Sequence, residues 1–117
     1  MANNQDFILK GALEVGKDTK VTLGTITSGT VDLSTGNYFA ETLAGDTTYA
    51  FSSAGAVQSF QMEITGASTY TITWPASVEW AGGVAPSAPD TGETDIYTFV
   101  TDDGGTSYIG LLTADAV

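Results

Sequence analysis

Apolar and polar residues alternate along short stretches of this chain, and no window repeats its apolar positions at the 3.6-residue spacing of a helix. Alternation with a period of two is the mark of a half-buried strand. It predicts strands near residues 7–9, 20–26, 30–33, 38–43, 47–51, 57–64, 69–74, 95–101 and 107–112. In "SFQMEIT", Phe60, Met62 and Ile64 share one face and Gln61, Glu63 and Thr65 the other; in "STYTITW", Tyr70, Ile72 and Trp74 oppose Thr69, Thr71 and Thr73. Phe60, Met62, Ile64, Ile72 and Trp74 are therefore the expected core. In "IYTFVT", Tyr97 and Phe99 oppose Ile96, Thr98 and Val100, and alternation leaves the core side open.

Turn chemistry separates the runs. "STGN", "AGD", "SAGA" and "DDGG" join Gly to Asn, Asp or Ser, the residues that tolerate turn backbones. "TGAS", with Gly66 free to take positive φ, reads as a tight hairpin between residues 57–64 and 69–74. Short strands closely punctuated by turns predict an all-β, antiparallel β-sandwich of jelly-roll type, spanning residues 20–117. Both tryptophans and all three prolines fall between residues 71 and 93. Pro75 has no N–H to donate and ends the strand that Trp74 completes, Val78 and Trp80 alternate as a short returning segment, and "AGGVAPSAPDTG" is an extended loop whose tip is a candidate contact with a partner.

Residues 1–19 differ. Their two apolar clusters, Phe7 to Leu9 and Leu13 with Val15, are broken by glycine and too small for a core. They suit an edge strand or an extended arm that adds to a neighbour's sheet, with Phe7, Ile8, Leu9, Lys10, Leu13 and Val15 as the docking residues.

Charge sharpens this division. Lys10, Lys17 and Lys20 balance Asp6, Glu14 and Asp18, so the whole net charge of −11 rests on residues 21–117, where there is no lysine or arginine. Such a body repels phosphate backbones and anionic lipid, so neither nucleic acid nor membrane is an expected partner. The charge suits solubility, or an outward face kept dispersed beside a neutral arm. No apolar run approaches the roughly 20 residues of a membrane helix, and the N-terminus does not read as a secretory signal, so folding in a cytoplasm is expected.

The chain of 117 residues has no cysteine, histidine or arginine, which removes disulfides, thiolate sites, the commonest general base and the bidentate phosphate reader. Serine and threonine have no histidine to activate them, and no spacing selects a glycosidase carboxylate pair. No Gly-Lys-Thr phosphate loop is present. "PDTGETD" is oxygen-rich but lacks the spacing of a calcium loop, and Asp102 and Asp103 before two glycines read as turn formers. Catalysis, cofactors and metals are not expected. Trp74, Trp80, Tyr38, Tyr49 and Tyr108 are candidates to stack on sugar rings, with Trp80 and Tyr108 singled out as glycan or partner contacts, although aromatic residues in a small β domain more often bury their rings.

The series "GNYFAETLAGDTTYAFS", "VQSFQMEIT", "YTITWPASVEWAGGVAPS" and "DIYTFVTDDGGTSYIGLL" resembles a module of structural proteins of tailed bacteriophages, particularly those of cyanobacteria and marine bacteria. The leader "DFILKGALEVG" is similar to the starts of such virion proteins. The resemblance covers residues 30–112 and the leader; related modules usually sit in longer fibre chains. It implies a non-enzymatic virion protein on the particle exterior, assembled in the host cytoplasm. Two roles follow from it. One is a capsid decoration or cement protein that docks on the major capsid protein, or on another virion protein, through its arm and associates with itself, a trimer being favoured. The other is a tail-fibre or receptor-binding component that contacts host glycans.

Overall fold

A computed structural model describes residues 21–117, which form ten strands and one turn of 3-10 helix. The strands are β1 (Thr25–Thr27), β2 (Thr30–Asp32), β3 (Tyr38–Thr42), β4 (Thr47–Thr48), β5 (Ala50–Ser52), β6 (Gln58–Thr65), β7 (Ile72–Thr73), β8 (Val78–Trp80), β9 (Thr94–Thr101) and β10 (Tyr108–Ala114). The described body is nearly all β, as the alternation predicts. The expected strand at residues 7–9 and the expected arm lie outside the described residues.

The antiparallel expectation is corrected. A five-stranded sheet runs in the order β3-β6-β9-β10-β8, a three-stranded one in the order β1-β2-β5, and β4 pairs with β7. Only β1–β2, β6–β9 and β9–β10 are antiparallel; β2–β5, β3–β6, β4–β7 and β8–β10 are parallel. Alternation reports which face a side chain takes but not the direction of the neighbouring strand, and both pairings satisfy it.

Two local expectations fail for reasons visible in the backbone. Residues 47–51 do not form one strand. The Tyr49 N–H bonds Thr73 O at 2.9 Å while the Ala50 N–H bonds Gly29 O at 2.9 Å, so the chain changes sheet at that peptide. Nor does "TGAS" close a hairpin, because β6 and β7 belong to different sheets. There Ser68, not Gly66, takes positive φ, at 52°. Gly66 is required by close approach instead: a Cβ would stand 2.2 Å from Pro89 O and 2.3 Å from Asp90 O.

The core lies between the large sheet and the small ones. Phe60, Met62 and Ile64 are buried as predicted, and Ile72 and Trp74 are half-buried against them. The open question on β9 is settled by Tyr97 and Phe99, both 0% exposed, which put the aromatic side inward. From the small sheet, Phe51 meets Phe60, Phe99 and Tyr108 with centroids 5.0 Å away in each case. Tyr49 stacks on Trp74 at 5.2 Å. Edge-to-face and offset rings suit the aromatic quadrupole, and each such pair contributes about 0.5–1.5 kcal/mol beyond its buried area.

Candidate functional site

The root of the N-terminal segment is fastened to the edge of the large sheet. Thr22 N–H donates to Asn37 Oδ1 at 2.8 Å, its carbonyl accepts from Asn37 and Tyr38 N–H at 2.9 and 3.1 Å, and Gly24 N–H donates to Tyr38 O at 2.8 Å. Leu23 bridges Tyr38 in parallel, so residues 22–24 cover the free edge of β3. Gly36 permits the contact, since a Cβ there would lie 2.4 Å from Thr22 O. Val21 thereby emerges beside Asn37, Ser59, Gln61 and Thr98. Phe7, Ile8, Leu9, Lys10, Leu13 and Val15, the docking residues expected from sequence, lie outside the described residues.

Gln61 and Thr98 belong to the outer face of the large sheet. Cross-strand register aligns Ile109 with Val100 and Ser59, and Leu111 with Thr98 and Gln61. Ile109 is 58% exposed and Val100 40%, with Leu111 also exposed, so the outward side of β9 and β10 carries an apolar patch. Polar pairs tie the rest of that face across strands: Tyr38 Oη donates to Glu63 Oε1 at 2.7 Å, Gln61 Nε2 to Thr98 Oγ1 at 3.3 Å, and Thr98 and Thr113 share a hydroxyl contact of 2.5 Å. Glu63 and Glu79 flank the patch, and residues 21–117 hold no basic side chain to balance them. A neutral or basic apolar segment therefore suits this face electrostatically, and an acidic one does not.

The aromatic candidates are placed differently from the sequence expectation. Tyr108 is 3% exposed and packs its ring on Phe51 and Phe60, which corrects its assignment as a glycan or partner contact. Trp80 is half-buried and meets Trp74, Phe99 and Tyr97 edge-on at 5.4, 5.5 and 6.2 Å, so its ring closes the core rather than standing clear as a platform. Burial of Trp74 leaves its Nε1 with no hydrogen-bond partner. An unpaired buried N–H costs about 1–3 kcal/mol, which the surrounding ring contacts must offset.

Several carboxylates serve the fold directly. Asp95, 2% exposed, accepts the Ala116 N–H at 2.8 Å and holds the C-terminal end of β10, and burial raises its pKa above the usual carboxylate range. Glu41 Oε1 accepts the Tyr49 hydroxyl at 2.5 Å; burial, then that bond, pushes the phenol well above its usual range. Asp103 accepts Ser107 Oγ, Ser107 N–H and Thr101 Oγ1 at 2.7, 3.0 and 2.9 Å, and these bonds lower its pKa to about 2. That arrangement makes Asp103 a turn former, as "DDGG" suggested. Among the described residues, no group of three or more acidic side chains converges as a metal site.

Comparison of the chain with protein families, curated proteins and solved structures finds no match.

Proposed function

We propose that this chain is a non-enzymatic structural protein of a bacteriophage virion, a decoration or cement protein that docks through residues 1–19 and displays its acidic body outward. The observation that carries the reading is the segregation of chemistry. Every basic side chain lies in the first twenty residues, beside Phe7, Ile8, Leu9, Leu13 and Val15, and the whole net charge lies on the rest. A root bonded to the β3 edge supports a segment anchored at one end that carries apolar side chains to a partner. Like-charged bodies repel one another, so copies spaced by symmetric contacts on a particle suit this charge better than a close-packed aggregate.

The packing of the small sheets over one face of the large one, with Phe51 between them, supports reading the body as a β-sandwich, although its parallel pairings depart from a jelly-roll order. The decoration role is preferred over a fibre role that would contact glycans through Trp80 and Tyr108, because both side chains pack on the core.

Deleting residues 1–19 tests the docking. The expected result is a melting temperature close to that of the full chain together with loss of binding to virions. A lost melting transition would instead make the segment part of the folded body. Absence of the protein from purified virions, or its presence in only a few copies per particle, would overturn the decoration role.

A further inference from the structure

A groove of about 410 Å³ opens between residues 68–72 and residues 86–90, at the margin of the core, on which Tyr70, Ile72 and Ala88 also pack. Its volume lies within the range of small-molecule sites, about 300–1,000 Å³. Tyr70, Ile72 and Pro89 give it apolar surface, and Thr71, Ser87 and Asp90 give it polar groups. We propose that this groove binds a neutral saccharide, with Tyr70 as the apolar contact and Thr71, Ser87 and Asp90 as hydrogen-bonding partners of the sugar hydroxyls.

Three observations lead there. The first is that the walls are fixed before any ligand arrives. Gly66 N–H donates to Glu93 O at 2.8 Å and Gly92 N–H to Gly66 O at 3.0 Å, while Thr91 Oγ1 donates to Ser68 O at 2.8 Å. With Gly66 pressed on Pro89 and Asp90, these bonds clamp the two walls at their base. Pre-organisation lowers the ordering cost of binding.

The second is that the polar groups are unspent. In the groove the Tyr70, Thr71 and Ser87 hydroxyls and the Asp90 carboxylate make no hydrogen bond to any described residue, which leaves their donors and acceptors for a ligand.

The third is the charge, which narrows the class. Residues 21–117 contain no lysine or arginine, so a phosphate, sulfate or carboxylate ligand would meet Asp90 with nothing to compensate it. A metal ion would need a converging set of carboxylates that the described residues lack. A sugar ring presents an apolar face and a rim of hydroxyls, which matches an aromatic wall beside a carboxylate and hydroxyls. This inference does not rest on the decoration role, since the groove belongs to the body alone.

The test is titration of the 15N-labelled full chain with glucose, galactose, mannose, N-acetylglucosamine, lactose and maltose, and with glucuronate as an anionic control. At least one neutral sugar is expected to shift the amides of Tyr70, Thr71, Ser87 and Asp90 saturably. Tyr70→Ala should weaken that sugar about tenfold or more. Because Tyr70 also packs on the core, Ser87→Trp supplies a second variant, which fills the groove from an exposed position and should abolish binding with little change in melting temperature. No saturable shift with any neutral sugar, shifts confined to other surfaces, a preference for glucuronate, or unchanged binding by Ser87→Trp would each overturn the proposal.

Discussion

Replacing Phe99 and Val100 in turn probes the face assignment on which the fold depends. The two residues are neighbours on β9 and point to opposite sides. Phe99 is 0% exposed, with the rings of Phe51, Phe60, Trp74 and Trp80 at 5.0, 5.1, 5.4 and 5.5 Å, whereas Val100 is 40% exposed beside Ile109. Phe99→Ala removes a ring from a filled cluster, and such truncations cost about 3–5 kcal/mol through lost transfer energy and the cavity left behind. The whole stability of a domain is about 5–15 kcal/mol, so the variant should be marginal, with Tm lower by about 15–30 °C. Val100→Ala should stay within about 1 kcal/mol of the parent, because it loses only partly exposed surface and some strand preference. Urea unfolding followed by tryptophan fluorescence and by far-ultraviolet circular dichroism reads both variants. Trp74 and Trp80 report on the neighbourhood of Phe99 and the dichroism on the sheets, so coincident transitions establish a single cooperative unit. If Phe99→Ala fails to fold, Phe99→Leu provides the measurable member of the pair, with a smaller cost than Ala. The reasoning is refuted if the Val100 variant loses as much stability as the Phe99 variant.

Asp95 and Asp103 should respond to pH with opposite signs. The folded-state pKa of Asp95 is raised, so at neutral pH its ionised form is a burden; Asp95→Asn should raise Tm at pH 7, with the gain shrinking as pH falls toward the usual carboxylate range, about 4. The pKa of Asp103 is lowered to about 2, so its contribution is fully present above the ordinary aspartate value and is lost as pH falls through about 2; Asp103→Asn should lower Tm at pH 7 and leave it unchanged at the acid end. Gly66→Ala should cost about 1–3 kcal/mol, because its Cβ meets two backbone carbonyls that can yield only by opening the clamp with residues 89–91. Gly45→Ala, with nothing within 4 Å of the added Cβ, should be neutral or slightly stabilising, and equal Tm values for the two glycine variants would count against the close-approach reading. Spectrophotometric titration should find Tyr49 and Tyr97 still protonated at about pH 11 and released only on unfolding, since burial raises both phenols above their ordinary value of about 10.

The segregation of charge is readable without any fold. Confinement of Lys10, Lys17 and Lys20 to the first twenty residues is a property of residue order and needs no coordinates. What composition lacked was the surface that receives the root. Val21 lies beside Gln61 and Thr98 because Thr22 and Gly24 bond the β3 edge, a contact that depends on Asn37 and Gly36, distant in sequence and unremarkable in pattern. The groove was missed for a similar reason. Tyr70 and Asp90 are brought together by the close fit of Gly66 on Pro89 and Asp90, and Gly66 carried only a turn signal. Residues 86–90 of the extended, proline-bearing loop form the other wall.

Residue pattern is enough to establish that the body is β, which side chains of β6 share a face, where the turns punctuate the strands, and that charge and basic residues are segregated. These are local properties: a period of two, the backbone preferences of Gly, Asn, Asp and Ser, and a count of charges. Tertiary structure alone decided that four strand pairs run parallel, that Tyr97 and Phe99 face inward, that the chain changes sheet between Tyr49 and Ala50, and that Trp80 and Tyr108 complete the core. The physical reason is the same in each case. A strand's alternation is satisfied by either direction of its neighbour, and an aromatic side chain is apolar enough to bury and polar enough to expose, so the choice falls to residues far away in sequence that fill the space around it.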